Sequence, residues 1–224
     1  MKLVTFQSME ALKTLINTGV LETDENKIDL NKYGFSYHWI TRQMEQRVSE
    51  KREARFPLWC WVKFKRGICP PKHRGGAVSG FDVKITFHKP ESKVFITDYR
   101  RYSFILNNTY IPKSIADKES FQKELDSHGI TDENLKAVAR PDKYSTCRND
   151  TIFLAACQKI RDSFERCITQ DSDILQGCVW RIYLSEVESI ELLNDPHYSY
   201  GTFNYKRKDG TRFDWVEDFY KLLK

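Results

Sequence analysis

The sequence predicts an α+β fold: a mixed or antiparallel sheet flanked by helices. Two-faced alternation over 58–65, with Lys63 and Lys65 on the face of Trp59 and Trp61, and apolar/polar alternation from Val83 to Phe87 have the period-2 pattern of half-buried strands. Met9, Leu12, Leu15 and Ile16, and later Phe153, Ala156, Ile160 and Phe164, recur at helical spacing. Strand and helix patterns do not alternate one for one, as they would around a wholly parallel sheet.

Met1 to Gln7 reads as the first strand. Ser8 is placed to cap a helix that runs to about Thr18, where Gly19 stops it. A polar loop, 22–31, leads to a second helix, about 33–48, with Tyr33, Tyr37, Ile40, Met44 and Val48 as its buried stripe. Pro57 opens a strand that sends Leu58, Cys60, Val62 and Phe64 to one face and Trp59, Trp61, Lys63 and Lys65 to the other. The stretch 67–80, with two prolines and four glycines, reads as a loop and is the candidate for a mobile flap. A strand with Phe81, Val83, Ile85 and Phe87 inward follows, then a turn near Pro90-Glu91-Ser92 and a return strand over 93–97. Asp98 is placed to cap a short helix carrying Tyr102, Ile105 and Leu106.

Residues 112–146 read as a polar, partly helical insertion, marked by Phe121, Leu125, Leu135 and Val138. A stronger helix spans about 150–168, and a strand spans 176–184. The end reads as a hairpin around Asp209-Gly210 and a helix with a capping-box pattern from Asp214 to Glu217. The expected organisation is one α+β domain, 1–194, with 195–224 as a hairpin-and-helix appendage.

Composition narrows the function classes. The 224 residues are 40% hydrophobic and 13% aromatic, enough for a sizeable core and unlike a disordered chain. No apolar run reaches the roughly 20 residues that span a bilayer, and the opening residues soon turn too polar for a signal peptide. Six cysteines contain no Cys-x-x-Cys pair, the five histidines fall at no metal-ligand spacing, and no metal site is expected. Four of the cysteines (60, 157, 167 and 178) sit in apolar runs, which suits free thiols in a reducing cytoplasm. The net charge of +5 is uneven: 42–74 holds ten Lys/Arg against three Glu, +7 in all. That local field points to an anionic ligand, a nucleotide or a nucleic acid. There is no P-loop, Rossmann glycine pattern or nucleophile elbow; Gly75-Gly76 beside His73 and Arg74 is a weak phosphate cradle.

Several segments taken in order carry a resemblance. Thr5-Phe6-Gln7 stands in a first strand, and Gly19-Val20 ends the first helix. Tyr37, Trp39, Gln43, Met44 and Arg47 follow the pattern Tyr-x-Trp-x-x-x-Gln-Met-x-x-Arg. Pro57, Trp59 and Trp61 form Pro-x-Trp-x-Trp, and Thr97-Asp98-Tyr99 precedes Leu106-Asn107. Ser163 to Arg166 precedes Gln176 and Trp180. In this order the motifs resemble an uncharacterised bacterial family of unknown function, over about residues 1–190. Tyr102-Ser103 departs from that family's Trp-His pair, and the tail from Asp195 matches none of it.

The layout of the first strand, the Gly-ended helix and the late strand also resembles the ADP-ribosyltransferase folds. That resemblance implies NAD as cofactor and a protein or nucleic acid as target. In those enzymes a first-strand His or Arg grips NAD and a Glu at the start of the late strand contacts the nicotinamide ribose. Thr5 or Gln7 would take the first role here, and Gln176 the second. A carboxylate stabilises the oxocarbenium-like centre left by nicotinamide, whereas an amide holds hydroxyls without charge. Either Glu165, Glu186 or Glu188 supplies the carboxylate, or the site binds without transferring. Gln176 and Glu165 are thus the catalytic candidates; Thr5, Gln7, Trp39, Gln43, Arg47, Trp59 and Asp98 are the cofactor-binding ones. For several of these a structural role is as natural: Asp98 as a helix cap, Trp59 in core packing, Gln43 and Arg47 on a hydrated helix face. The other reading is a noncatalytic nucleic-acid or protein interaction module that uses the basic segment 42–74.

Overall fold

The computed structural model describes residues 1–51, 54–63, 82–141, 143–144 and 148–192. The expected flap at 67–80 and the hairpin and helix after 195 lie outside these residues. The chain divides into two compact units, one of Met1–Thr23, Arg47–Phe95 and the segment from Gln176, the other of Asp24–Gln46 and Ile96–Leu175.

The first unit is built on strands. β1 (Lys2–Gln7) leads into α1 (Met9–Thr18), followed by β2 (Val20–Glu22), β3 (Leu58–Lys63) and β4 (Val83–His88). β5 (Phe95–Asp98) and β6 (Leu175–Val179) carry the chain between the units, and β7 (Arg181–Tyr183) and β8 (Val187–Leu192) complete the set. The larger sheet has the order β5-β6-β3-β1-β4-β8, and β2 pairs with β7 in a small second sheet. The pairings of β1 with β3 and β4, and of β4 with β8, are antiparallel, in keeping with the α+β expectation. α1 begins and ends where the sequence places its caps. The Ser8 hydroxyl accepts from the Ala11 N–H, and Gly19, at φ 77°, returns its N–H to the Leu15 carbonyl at 2.9 Å.

Two elements depart from the sequence reading. The single strand expected over 176–184 is two strands, broken at the fully buried Trp180; β6 stays in the larger sheet while β7 pairs with β2. Alternation marks a buried face but does not say which sheet the face belongs to. β8 escapes the reading because its register with β4 slips between Thr86 and Phe87, so Val187 and Ile190 are three residues apart and break the period of two.

Where β4 ends, Lys89 is wholly buried and its ammonium is surrounded by oxygen. It donates to the Arg181 carbonyl at 2.9 Å and to both Glu186 oxygens at 3.0 and 2.9 Å, with Glu50 at 3.5 Å. The Tyr183 ring lies 5.1 Å from the nitrogen. Lys93 reaches the same Glu50 at 3.7 Å, and Arg181 reaches Glu22 at 3.4 Å.

The second unit is helical among its described residues: α2 (Leu30–Arg47, to Gln46 in this unit), α3 (Tyr99–Leu106), α4 (Ile115–Ser127), α5 (Asp132–Ala139) and α6 (Thr151–Ser163). Asp98 caps α3, its carboxylate accepting from the Arg100 and Arg101 N–H groups at 2.7 and 2.9 Å. Asp150 caps α6, and Thr131 and Asn134 make a capping box at α5. The buried side of α2 is Gly34, Ser36, Ile40, Thr41 and Met44; Tyr33 and Tyr37 are only half-buried. The segment 112–146, polar by composition, supplies Phe121, Leu125, Ile130, Leu135 and Ala137 to the core. Asn108, at φ 49°, donates to the Leu135 carbonyl at 2.8 Å and ties α5 to the end of α3.

Two substitutions test the first unit. A Cβ on Gly177 would stand 3.0 Å from Cys60 Sγ, 3.0 Å from Val62 Cγ2 and 3.1 Å from Val94 Cγ1. Gly177→Ala is expected to lower unfolding free energy by about 1–2 kcal/mol, overpacking outweighing the Gly→Ala gain in the strand; an unchanged urea midpoint contradicts this. Glu186→Ala leaves the buried Lys89 short of its main counter-charge and is expected to cost about 3 kcal/mol, whereas Lys89→Met with Glu186→Leu recovers much of the loss. Equal denaturation midpoints for the single and double variants would exclude that account.

Candidate functional site on the tryptophan face of the sheet

The strand register sorts the larger sheet into two unlike faces. On one, Leu3, Thr5 and Gln7 pair with Phe87, Ile85 and Val83, and Ile85 with Ile190. Apart from the half-buried Gln7 these residues are at most 1% exposed. On the other face one row runs Trp61, Val4, Thr86, Ser189 across four strands, and the next runs Phe6, Lys84, Glu191. Trp59, two residues before Trp61, shares that face and stands level with Phe6. Phe6, Trp59 and Trp61 are half-buried there, while Val4, Thr86 and Ser189 on the same face are buried.

Gln176 belongs to the tryptophan face. Its neighbour Gly177 is turned toward Cys60 and Val62, and its N–H bonds to the Cys60 thiol. Alternation along β6 therefore sends Gln176 to the side of Trp59 and Trp61, on the strand next to theirs. Gln176 is 7% exposed, and its amide nitrogen is buried without a hydrogen-bond partner. Leaving such a donor unpaired costs about 1–3 kcal/mol. The described cations at the rim of the face are paired: Lys84 with Glu191 at 2.7 Å, and Lys2 and His88 with Glu188 at 2.8 and 2.6 Å.

The residues singled out in the sequence fall into two sets. Thr5, Gln7, Arg47, Trp59 and Gln176 are in the first unit; Trp39, Gln43, Asp98 and Glu165 are in the second. Thr5 and Gln7 are joined to each other and to the backbone. Gln7 Nε2 donates to Thr5 Oγ1 at 2.9 Å, and Thr5 Oγ1 donates to the Trp59 carbonyl at 2.8 Å. They lie on the face opposite Trp59 and Gln176. Asp98 is the cap of α3, and its carbonyl faces the Cys167 thiol at 3.5 Å. Burial, then the Asp98 carboxylate, push that thiol up to about 12, and burial drives the Cys60 thiol higher still. Cys60, Cys157, Cys167 and Cys178 are free and buried, as small apolar groups.

Trp39 packs edge-on against Phe164 at 6.0 Å, Gln43 is half-buried, and Arg47 and Glu165 are exposed. In the basic segment, Arg42, Arg47, Lys51 and Arg55 are exposed; Lys65, Arg66, Lys72 to Arg74 and Gly75-Gly76 lie outside the described residues. The second unit has its own groove of about 390 Å³ between α4 and α6, lined by Leu125, His128, Ile130, Ile152 and the Glu124–Lys159 ion pair. Among the described residues no helix is long and apolar enough to cross a membrane.

A family model described as a domain of unknown function, DUF3841, matches residues 2–188. The chain belongs to the DUF3841 family. No curated protein and no solved structure matches it. The family match spans the strand that bears the two tryptophans, β6 with Gln176, and the helices of the second unit. In this DUF3841 chain sequence reasoning found Trp59, Trp61 and Gln176 individually. It missed Phe6, Thr86 and Ser189 as their companions, because only the register of β1, β4 and β8 sets them in the same rows.

The rim predicts a pH response. The hydrogen bond from Lys2, then that from His88, hold the Glu188 carboxyl below the usual carboxylate range. A depressed folded-state value contributes stability that is present above the unfolded value and lost as pH falls through the folded one. Wild type is therefore expected to lose stability below about pH 4.5 more steeply than Glu188→Gln. Parallel curves of urea midpoint against pH for the two proteins would remove Glu188 from the acid response.

Proposed function

We propose that this chain binds a nucleotide on the tryptophan face of its first unit, with NAD as the ligand that the ADP-ribosyltransferase resemblance implies. The observation that carries the reading is the buried, unpaired amide of Gln176 on the same face as the half-buried Trp59 and Trp61. Indole faces stack on any base, contributing about 1–3 kcal/mol each, and an unpaired donor beside them supplies the directional contact that orients a ring.

The proposal is a binding protein, not a transferase. Glycosyl transfer needs a carboxylate against the developing cation, and Gln176 is neutral. Thr5 and Gln7, which the resemblance assigns to gripping NAD, spend hydrogen bonds on each other and on the Trp59 carbonyl. A protein or nucleic-acid target belongs to the transfer step and is not part of the proposal.

Titration of the full chain with NAD, ADP-ribose and AMP, followed by tryptophan fluorescence and calorimetry, tests the reading. Quenching with saturable binding is expected, and Trp59→Ala is expected to weaken it about 5- to 100-fold at unchanged secondary structure. Absence of any saturable signal at millimolar nucleotide sinks the proposal.

A further inference from the structure

We infer that the tryptophan face reads the uncharged edge of an adenine base through the Gln176 carboxamide. This rests on the nucleotide reading above and names the part of the ligand that is recognised.

The hydrogen-bonding character of Gln176 selects the base. A carboxamide offers a donor on one atom and an acceptor on the other. Adenine presents an amine beside a ring-nitrogen acceptor and pairs with such a group in two hydrogen bonds, as glutamine does when it reads adenine in DNA. Purine riboside, which lacks the 6-amine, offers the Gln176 oxygen no donor and leaves it unmatched.

The burial of Gln176 separates a reader from a strand residue. A buried donor without a partner weakens the folded state, and an apolar side chain of similar shape at that position removes the penalty. Neither amide atom of Gln176 takes part in a hydrogen bond among the described residues, and the nitrogen is the buried one. A group that destabilises the empty protein and faces an aromatic shelf is placed for a ligand that pairs with it.

The test uses the full chain, wild type and Gln176→Met, with adenosine and purine riboside as probes and thermal melts alongside calorimetry. Gln176→Met is expected to melt about 2–4 °C higher than wild type. It should bind adenosine about tenfold more weakly and lose the preference for adenosine over purine riboside that wild type shows. A lower melting temperature for Gln176→Met, or failure to fold, makes Gln176 a structural residue and overturns the inference. So does equal binding of adenosine and purine riboside by wild type, which is stacking alone and leaves nucleotide binding standing. Failure of every probe to bind removes the proposed function together with the inference.

Discussion

The first unit depends on what is done with one ammonium group. Lys89 has no exposure to water, and taking a charge out of water costs several kcal/mol unless the surroundings replace its hydration. The replacement comes from distant parts of the chain: Glu50 beyond α2, the Arg181 carbonyl in β7, and Glu186 ahead of β8. Each of those segments must arrive for the charge to be buried at all. The same residue is fixed through its backbone, since its N–H donates to the Met1 carbonyl at 3.0 Å, beside β1. One buried cation thus holds together the edge of the larger sheet and the small sheet of β2 and β7.

With that corner held, the register of β1, β4 and β8 follows, and the register makes the two faces unlike. Leu3, Ile85, Phe87 and Ile190 seal one face, and Thr5 survives among them because its hydroxyl has a carbonyl to bond. The opposite face carries Phe6, Trp59 and Trp61, with Thr86 and Ser189 on the two strands beyond β1. A face with large flat rings suits a planar group that stacks on them.

The second unit is organised by its helix ends and by short ties between them. Asp98, Ser114, Thr131 and Asp150 each accept backbone N–H groups at the start of a helix, pairing donors that have no partner within the helix. Ser163 ties the loop before α4 to the end of α6 by accepting from the Ile111 N–H at 2.9 Å. Arg166 donates to the Ile111 carbonyl and stands 3.7 Å from Asp117. Phe164 is wholly buried, with the Phe35 and Trp39 rings set edge-on to it, so the motif that contains it is a packing motif first.

Much that depends on neighbours in the chain was legible in the sequence. The caps at Ser8 and Asp98, the stop at Gly19, the alternation of β3 and β4 and the class of the fold all follow from side chains a few residues apart. The candidacy of Trp59 follows from residue type and strand position, and that of Gln176 from the ADP-ribosyltransferase resemblance alone. Tertiary structure decided the rest, because it depends on register and on partners far away in sequence. It split 176–184 between two sheets, added β8 across a bulge that hides its period, and rotated the buried side of α2 away from Tyr33 and Tyr37. It also set Thr5 and Gln7 on the face opposite Gln176. Strand periodicity separates two faces but cannot say which face of one strand meets which face of the next; only the pairing of β1 with β3 and β4 does that.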